Sequence, residues 1–373
     1  MMHRSSHLTR ALARRAAFTI TELLVVISVV VIMIAIAVPA LTNLIDGSER
    51  SLAENQLRVG ISAGRDAAIR SDGGDGGVVF VHQFDSRGGR IVMIPVVQVA
   101  SIDDVCNREG TASPFVVKRD IFAVVPNAQP VALPRGWGVR GFAPPGAIAD
   151  SGPQIGWYEW LERPVGQEEG NWVFPETSFF DPANANLGGE GWRRQSFFVR
   201  FEAGTGALRT ERSDLALVLD PVAEDAFRET APWSDARVDR APSQIEWLRR
   251  TARRTDLSPL ERASLIGDES IDTILVRPIT ELVLYNESSM ASGIGLRGLN
   301  RETGTLYLPV SGPTGGFDPQ ALGGQQPLDV AQNQALWIAG RFEINNDPVP
   351  SDARVFTLSK YLGGLEELKA VAP

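Results

Sequence analysis

The chain has 373 residues, of which 43% are hydrophobic, and a formal net charge of -9. That apolar content fills one large core or two modest ones, which excludes disorder throughout, and the negative surface as a whole repels nucleic acid and anionic lipid. The single cysteine, Cys106, excludes an intramolecular disulfide, and with His3 and His7 in the N-terminal basic stretch only His82 remains, too few imidazoles for a histidine zinc cluster or a recognisable triad.

From Met1 to Ala17 the chain carries Arg4, Arg10, Arg14 and Arg15 and no acidic residue; from Phe18 to Leu41 it is apolar except for Thr19, Thr21, Glu22 and Ser28. A basic flank followed by roughly 20 apolar residues predicts a bilayer-spanning helix with the arginines on the cytoplasmic side and the bulk of the protein outside the cytoplasm. A secretory signal peptide cut after Ala40 and a plain membrane anchor are the rival readings. The apolar run exceeds the roughly 7–15 residues of a signal h-region. Glu22 separates the readings. A carboxylate inside hydrocarbon costs on the order of 2.5–3.5 kcal/mol, so it either sits near the interface or meets a cation brought by another chain.

The stretch Ala17-Phe18-Thr19-Ile20-Thr21-Glu22-Leu23-Leu24-Val25-Val26-Ile27 resembles the cleavage and methylation motif of type IV prepilins and type II secretion pseudopilins. Ala17 stands where that family commonly has glycine, and Ile20-Thr21 where Leu-Ile is commoner. The resemblance implies that residues 1–17 are a leader, that a prepilin peptidase cuts between Ala17 and Phe18, and that the new amino terminus at Phe18 is N-methylated. It also implies that Glu22, fifth in the mature chain, meets the terminal amine of a neighbouring subunit. Pro39 falls on the family's helix-kinking proline. The implied partners are the peptidase, other pilin and pseudopilin subunits, and the inner membrane, crossed once with the N-terminus cytoplasmic before processing.

Beyond the transmembrane segment 18–41, the positions Ile45, Leu52 and Val59 recur at sevens, with Leu44, Leu57 and Ile61 beside them, which predicts an amphipathic continuation of the helix over 42–71. Ser71-Asp72-Gly73-Gly74-Asp75-Gly76-Gly77 predicts its end. Val78–Val81 and Ile91–Ile94 flank Asp85-Ser86-Arg87-Gly88-Gly89 as a hairpin; Phe115–Val117, Ile121–Val125 and Phe197–Phe201 read as further strands. The expected fold is therefore α+β: a long N-terminal helix, then a β-rich, mostly antiparallel pilin-like domain over 72–220 with an insertion near 141–194.

Within the family, Asn55–Leu57, Ala63–Arg70, Leu133-Pro134-Arg135-Gly136 and Phe201-Glu202-Ala203-Gly204-Thr205-Gly206 are most similar to the H-type minor pseudopilins. Residues 221–373 resemble nothing known to us and read as an α+β extension, with a helix over Ser243–Arg254 and strands at Ile271–Arg277, Ile279–Tyr285 and Thr305–Leu308.

The remaining motifs carry little chemistry. Gly293-Ile294-Gly295-Leu296-Arg297-Gly298 has dinucleotide-loop spacing, but a strand and not a helix is expected after it, so it reads as a loop. Gly73–Gly77 with Asp72 and Asp75, and Asn345-Asn346-Asp347 with Asp352, are oxygen-rich turns that offer too few carboxylates for calcium. His82 and Cys106 have no nucleophile-and-base context. Arg249, Arg250, Arg253 and Arg254 form the one strong basic run outside the leader and the place to look for a nucleic-acid contact, although residues 221–373 hold 21 acidic against 15 basic side chains. The expectation is a structural minor pseudopilin or pilin with no enzymatic activity, cofactor, metal or nucleic-acid partner. A DNA-uptake or adhesion subunit, or an unassembled membrane-anchored envelope protein, is the alternative.

Overall fold

The computed structural model describes residues 20–85, 88–106, 115–126, 128–143, 171–173, 177–180, 192–209, 216–219, 255–256, 273–296, 298–299, 323–325, 327–361 and 363–368. The chain divides into two compact units at Ser51–Leu52. Helix α1, Ile20–Arg70, contributes its first part to one unit and its last part to the other. The fold is α+β with an apolar N-terminal helix.

In the first unit α1 remains helical through Pro39 and Gly47. The hydroxyls of Ser28 and Ser51 donate back to Leu24 O at 2.8 Å and Gly47 O at 2.9 Å, so these polar side chains are satisfied within the helix itself.

The second unit begins with the last part of α1 and continues into strands β1 (Gly76–Asp85), β2 (Gly88–Cys106), β3 (Phe115–Val124), β4 (Val131–Ala132), β5 (Trp137–Ala143), β6 (Asn171–Val173), β7 (Thr177–Phe180), β8 (Trp192–Phe201), β9 (Ala216–Leu219), β10 (Thr273–Pro278) and β11 (Glu281–Asn286). Then come helix α2 (Glu287–Gly293), helix α3 (Pro327–Ile338) and strands β12 (Glu343–Ile344), β13 (Asp347–Pro348), β14 (Arg354–Leu358) and β15 (Leu365–Leu368).

The first sheet runs β1-β2-β3-β9-β10-β8, and β8 returns to pair with β1, closing a six-stranded barrel. The sheet expected to be mostly antiparallel is mixed, because β3–β9 and β10–β8 pair in parallel. Strand alternation sends Val79, Val81, Val92, Ile94, Phe122, Val124, Phe198 and Val218 into the barrel interior. The intervening Val78, Phe80, Ile91, Met93, Phe197 and Val199 face outward into a second core. Phe115–Val117 and Ile121–Val125, read as two strands, are one: β3 passes through Lys118-Arg119-Asp120 without a break.

The second sheet, β15-β14-β11-β5-β6, is antiparallel throughout. Its alternation puts Val139, Leu282, Leu284, Phe356 and Leu358 on one face and Gly138, Arg140, Val283, Tyr285 and Val355 on the other. Strands beyond residue 221 thus enter both sheets: β10 is a barrel stave, and β11, β14 and β15 form most of the second sheet. The insertion near 141–194 supplies β6 and β7. The predicted helix at Ser243–Arg254 and strand at Thr305–Leu308 lie outside the described residues.

The face that α1 buries differs from the one its heptad spacing suggests. Ala53, Leu57, Ile61 and Ala68 are buried, whereas Leu52 and Val59 are about half exposed. The reason is the closeness of approach: Gly60, Gly64 and Ala68 lie on the contact face beside Leu57 and Ile61, and a Cβ at Gly64 would fall 2.8 Å from both Gly77 O and Val78 Cβ. Small residues let helix and strand backbones approach, so the buried face follows them and leaves Leu52 and Val59 to one side. Replacing Gly64 with leucine is expected to cost about 1–3 kcal/mol by overpacking, read as a lower denaturation midpoint of the detergent-solubilised chain. Gly47→Leu serves as control, since a Cβ there meets nothing within 4 Å.

The helix ends as its sequence requires. Ser71 Oγ donates to Ala68 O at 2.8 Å, Gly204 N to the same carbonyl at 3.1 Å, and Gly73 adopts a left-handed φ of 89°. The turn after β8, Phe201–Gly206, is therefore a cap on α1, and Gly206 presses against Ile69 and Arg65.

Candidate functional site

The candidate site is the first part of α1. Ile20–Val38 is a 19-residue span of mean hydropathy 2.9 with none of its residues buried within the protein. Leu, Ile, Val and Met line it on every side: Leu24 is 62%, Ile32 60% and Ile36 70% exposed. A helix apolar all round, rather than along one stripe, is suited to lipid or to a helical bundle and not to water. It is long and apolar enough to cross a membrane.

Glu22 lies near the start of the described part of this helix and is the one charged residue of Ile20–Val38. Pro39 is at the far end of the span, inside the helix. Ala17 and Phe18 lie outside the described residues, as do Arg249, Arg250, Arg253 and Arg254.

No family model, curated protein or solved structure matches the chain. The reading of this site therefore rests on its residues.

The other sequence motifs resolve as structure. Gly293 ends α2 instead of opening a helix, and Gly295 and Gly298 have left-handed φ of 75° and 123°; among the described residues the glycine-rich stretch is a helix-terminating loop and opens no helix. Asp75, considered as a calcium ligand, is engaged by cations: Arg200 Nε donates to it at 2.7 Å and Arg209 Nη1 reaches the same oxygen. Asn345 and Asn346 are the left-handed pair of the tight β12–β13 hairpin. Among the described residues no group of three His, Cys, Asp or Glu is placed to hold a metal. His82 is buried on β1, and Cys106 ends β2.

A cavity of about 390 Å³ lies between the end of α1, strand β2 and the segment that follows β3, floored by Ala63, Ala67, Pro95, Val97 and Val125. Its charged lining residues, Asp66 and Arg70, pair with each other at 3.9 Å, leaving no acid–base pair aimed into it.

Sequence reasoning missed the buried charges. Arg140, Arg200, Arg277 and Glu287 are all at most 4% exposed. Arg200 bridges Asp75 and Asp120, the latter at 2.6 Å, across the Phe122 ring at the barrel end. Arg140 donates Nε to Tyr285 OH at 3.1 Å and Nη2 to Gln334 Oε1. Alternation could have flagged Arg200, which follows two inward-facing positions on β8; nothing local marks Arg140 or Glu287.

Proposed function

We propose that the chain is a prepilin-type minor subunit, cut before Phe18, N-methylated there, and assembled through its apolar helix into a type II secretion or type IV pilus-like filament. One observation carries this reading: a lone carboxylate, Glu22, within an exposed apolar span of 19 residues. In lipid alone Glu22 costs on the order of 2.5–3.5 kcal/mol. A neighbouring subunit's N-terminal amine offsets that cost on assembly. The basic leader orients the span with its N-terminus in the cytoplasm and the second unit outside.

The second unit fits a low-copy subunit, since residues 52–373 form one large β-rich body whose bulk limits dense stacking.

Glu22→Gln tests the reading. Membrane insertion and leader cleavage are expected to continue while recovery in sheared filaments falls at least about tenfold, equivalent to about 1.4 kcal/mol of lost pairing. Unchanged recovery would sink the proposed role of Glu22.

A further inference from the structure

Helices α2 and α3 cover one face of the second sheet, and beneath them lies a buried polar cluster. Arg140 of β5 and Tyr285 of β11 occupy the same sheet face, where the tyrosine ring closes over Gly138, and Gln334 and Trp337 come down from α3. Tyr285 and Trp337 meet edge to face at 6.4 Å, and Trp337 abuts Gly293 at the end of α2. Glu287, the first residue of α2, is 2% exposed, and its Oε2 has no hydrogen-bond partner among the described residues. Arg140 turns Nε and Nη2 towards Tyr285 and Gln334.

We propose that Glu287 is a proton-operated latch: with its carboxyl neutral, α2 and α3 stay docked on the second sheet, and ionisation of that carboxyl releases them as a unit. The geometry supplies the two states. A carboxylate formed in this place is 2% exposed and has an acceptor oxygen without a donor among the described residues, which is costly; moving α2 outward hydrates it. The covering helices have seven and 12 residues, too short to persist without packing, so they respond together once α2 lifts. What stays docked otherwise is held by Met290, Ile294, Val330 and Trp337 and by Glu287 N donating to Gly136 O at 2.8 Å.

Burial raises the Glu287 pKa to about 8 from 4.5, against the opposing pull of Arg140. The closed layer is therefore fully favoured below the lower value and progressively disfavoured as pH rises to the upper one. Among the described residues the charged and titratable groups beneath are Arg140 and Tyr285; Glu281, on the same face of β11 and also raised by burial, is the internal control.

Hydrogen exchange of the detergent-solubilised full chain, corrected for the pH dependence of intrinsic exchange, tests this. Opening of residues 287–293 and 327–338 is expected to grow by up to about tenfold per pH unit between about pH 5 and about pH 8 and then level off, while barrel amides at 78–81 and 197–201 hold. Glu287→Gln should remove the dependence and Glu281→Gln should keep it. PH-independent protection of the two helices in the unaltered chain, a loss shared equally by the barrel, or a Glu287→Gln chain that still opens with pH would each overturn the latch.

Discussion

Asp75→Ala is expected to destabilise the second unit by about 3–5 kcal/mol, the usual cost of breaking a buried ion pair from one side. Asp75 accepts from Arg200 and Arg209 through one oxygen and from Ala203 N at 3.2 Å through the other. The Arg200 and Asp75 side chains are only 5% and 6% exposed, so neither water nor salt replaces the lost charge effectively. The effect reaches the helix, because Asp75 fixes Ala203 and the next residue, Gly204, caps Ala68 O. Asp72→Ala, exposed three residues away, is expected to stay within about 0.5 kcal/mol. A combined Asp75→Leu and Arg200→Met chain should recover part of the loss, since an apolar pair removes the desolvation cost along with the attraction. Denaturant unfolding of the three chains measures this; a loss below about 1 kcal/mol for Asp75→Ala would mean the network is as weak as a surface pair.

Two buried titratable groups are expected to shape stability against pH with opposite signs. Burial lowers the His82 pKa to about 3 from 6.5, so its folded form binds fewer protons and its contribution is present above 6.5 and lost as pH falls towards 3. Glu287, raised to about 8 from 4.5, contributes below 4.5 and loses that contribution as pH rises to 8. Between about 4.5 and about 6.5 the two slopes cancel, which gives a plateau. Outside it their joint contribution falls by roughly 1.4 kcal/mol per pH unit, of order 2 kcal/mol on each side. His82→Leu should remove the acid limb and Glu287→Gln the alkaline one. Melting curves from pH 3 to pH 9 that keep both limbs in the two variants would contradict the assignment.

The local elements were legible where chain chemistry is local. Glycines after Arg70 ended the helix, and the β1–β2 strands followed from two β-branched runs. Pairings set by distant segments were not. Val276 and Val218 are ordinary apolar strand residues, and nothing in their neighbourhoods says that β10 and β9 complete a barrel closed by β8 on β1. The contact face of α1 was legible only in part: Leu57 and Ile61 are buried as their pattern suggests, but periodicity counts large apolar residues and passes over Gly60, Gly64 and Ala68, which also make the contact. Charges inside β3 suggested a break, yet Asp120 is there to meet Arg200. In the candidate site, Glu22 and the apolar span were visible from composition alone, because a membrane imposes its rule residue by residue. The second polar cluster was invisible, because Arg140, Glu287 and Gln334 come from elements far apart in the chain.

The most direct test of the proposed function is the mass of the N-terminal peptide of the mature protein isolated from its own cells. The account predicts a peptide beginning at Phe18 with a methylated amine. A mature terminus at Leu41, or a chain that keeps its leader, would contradict it.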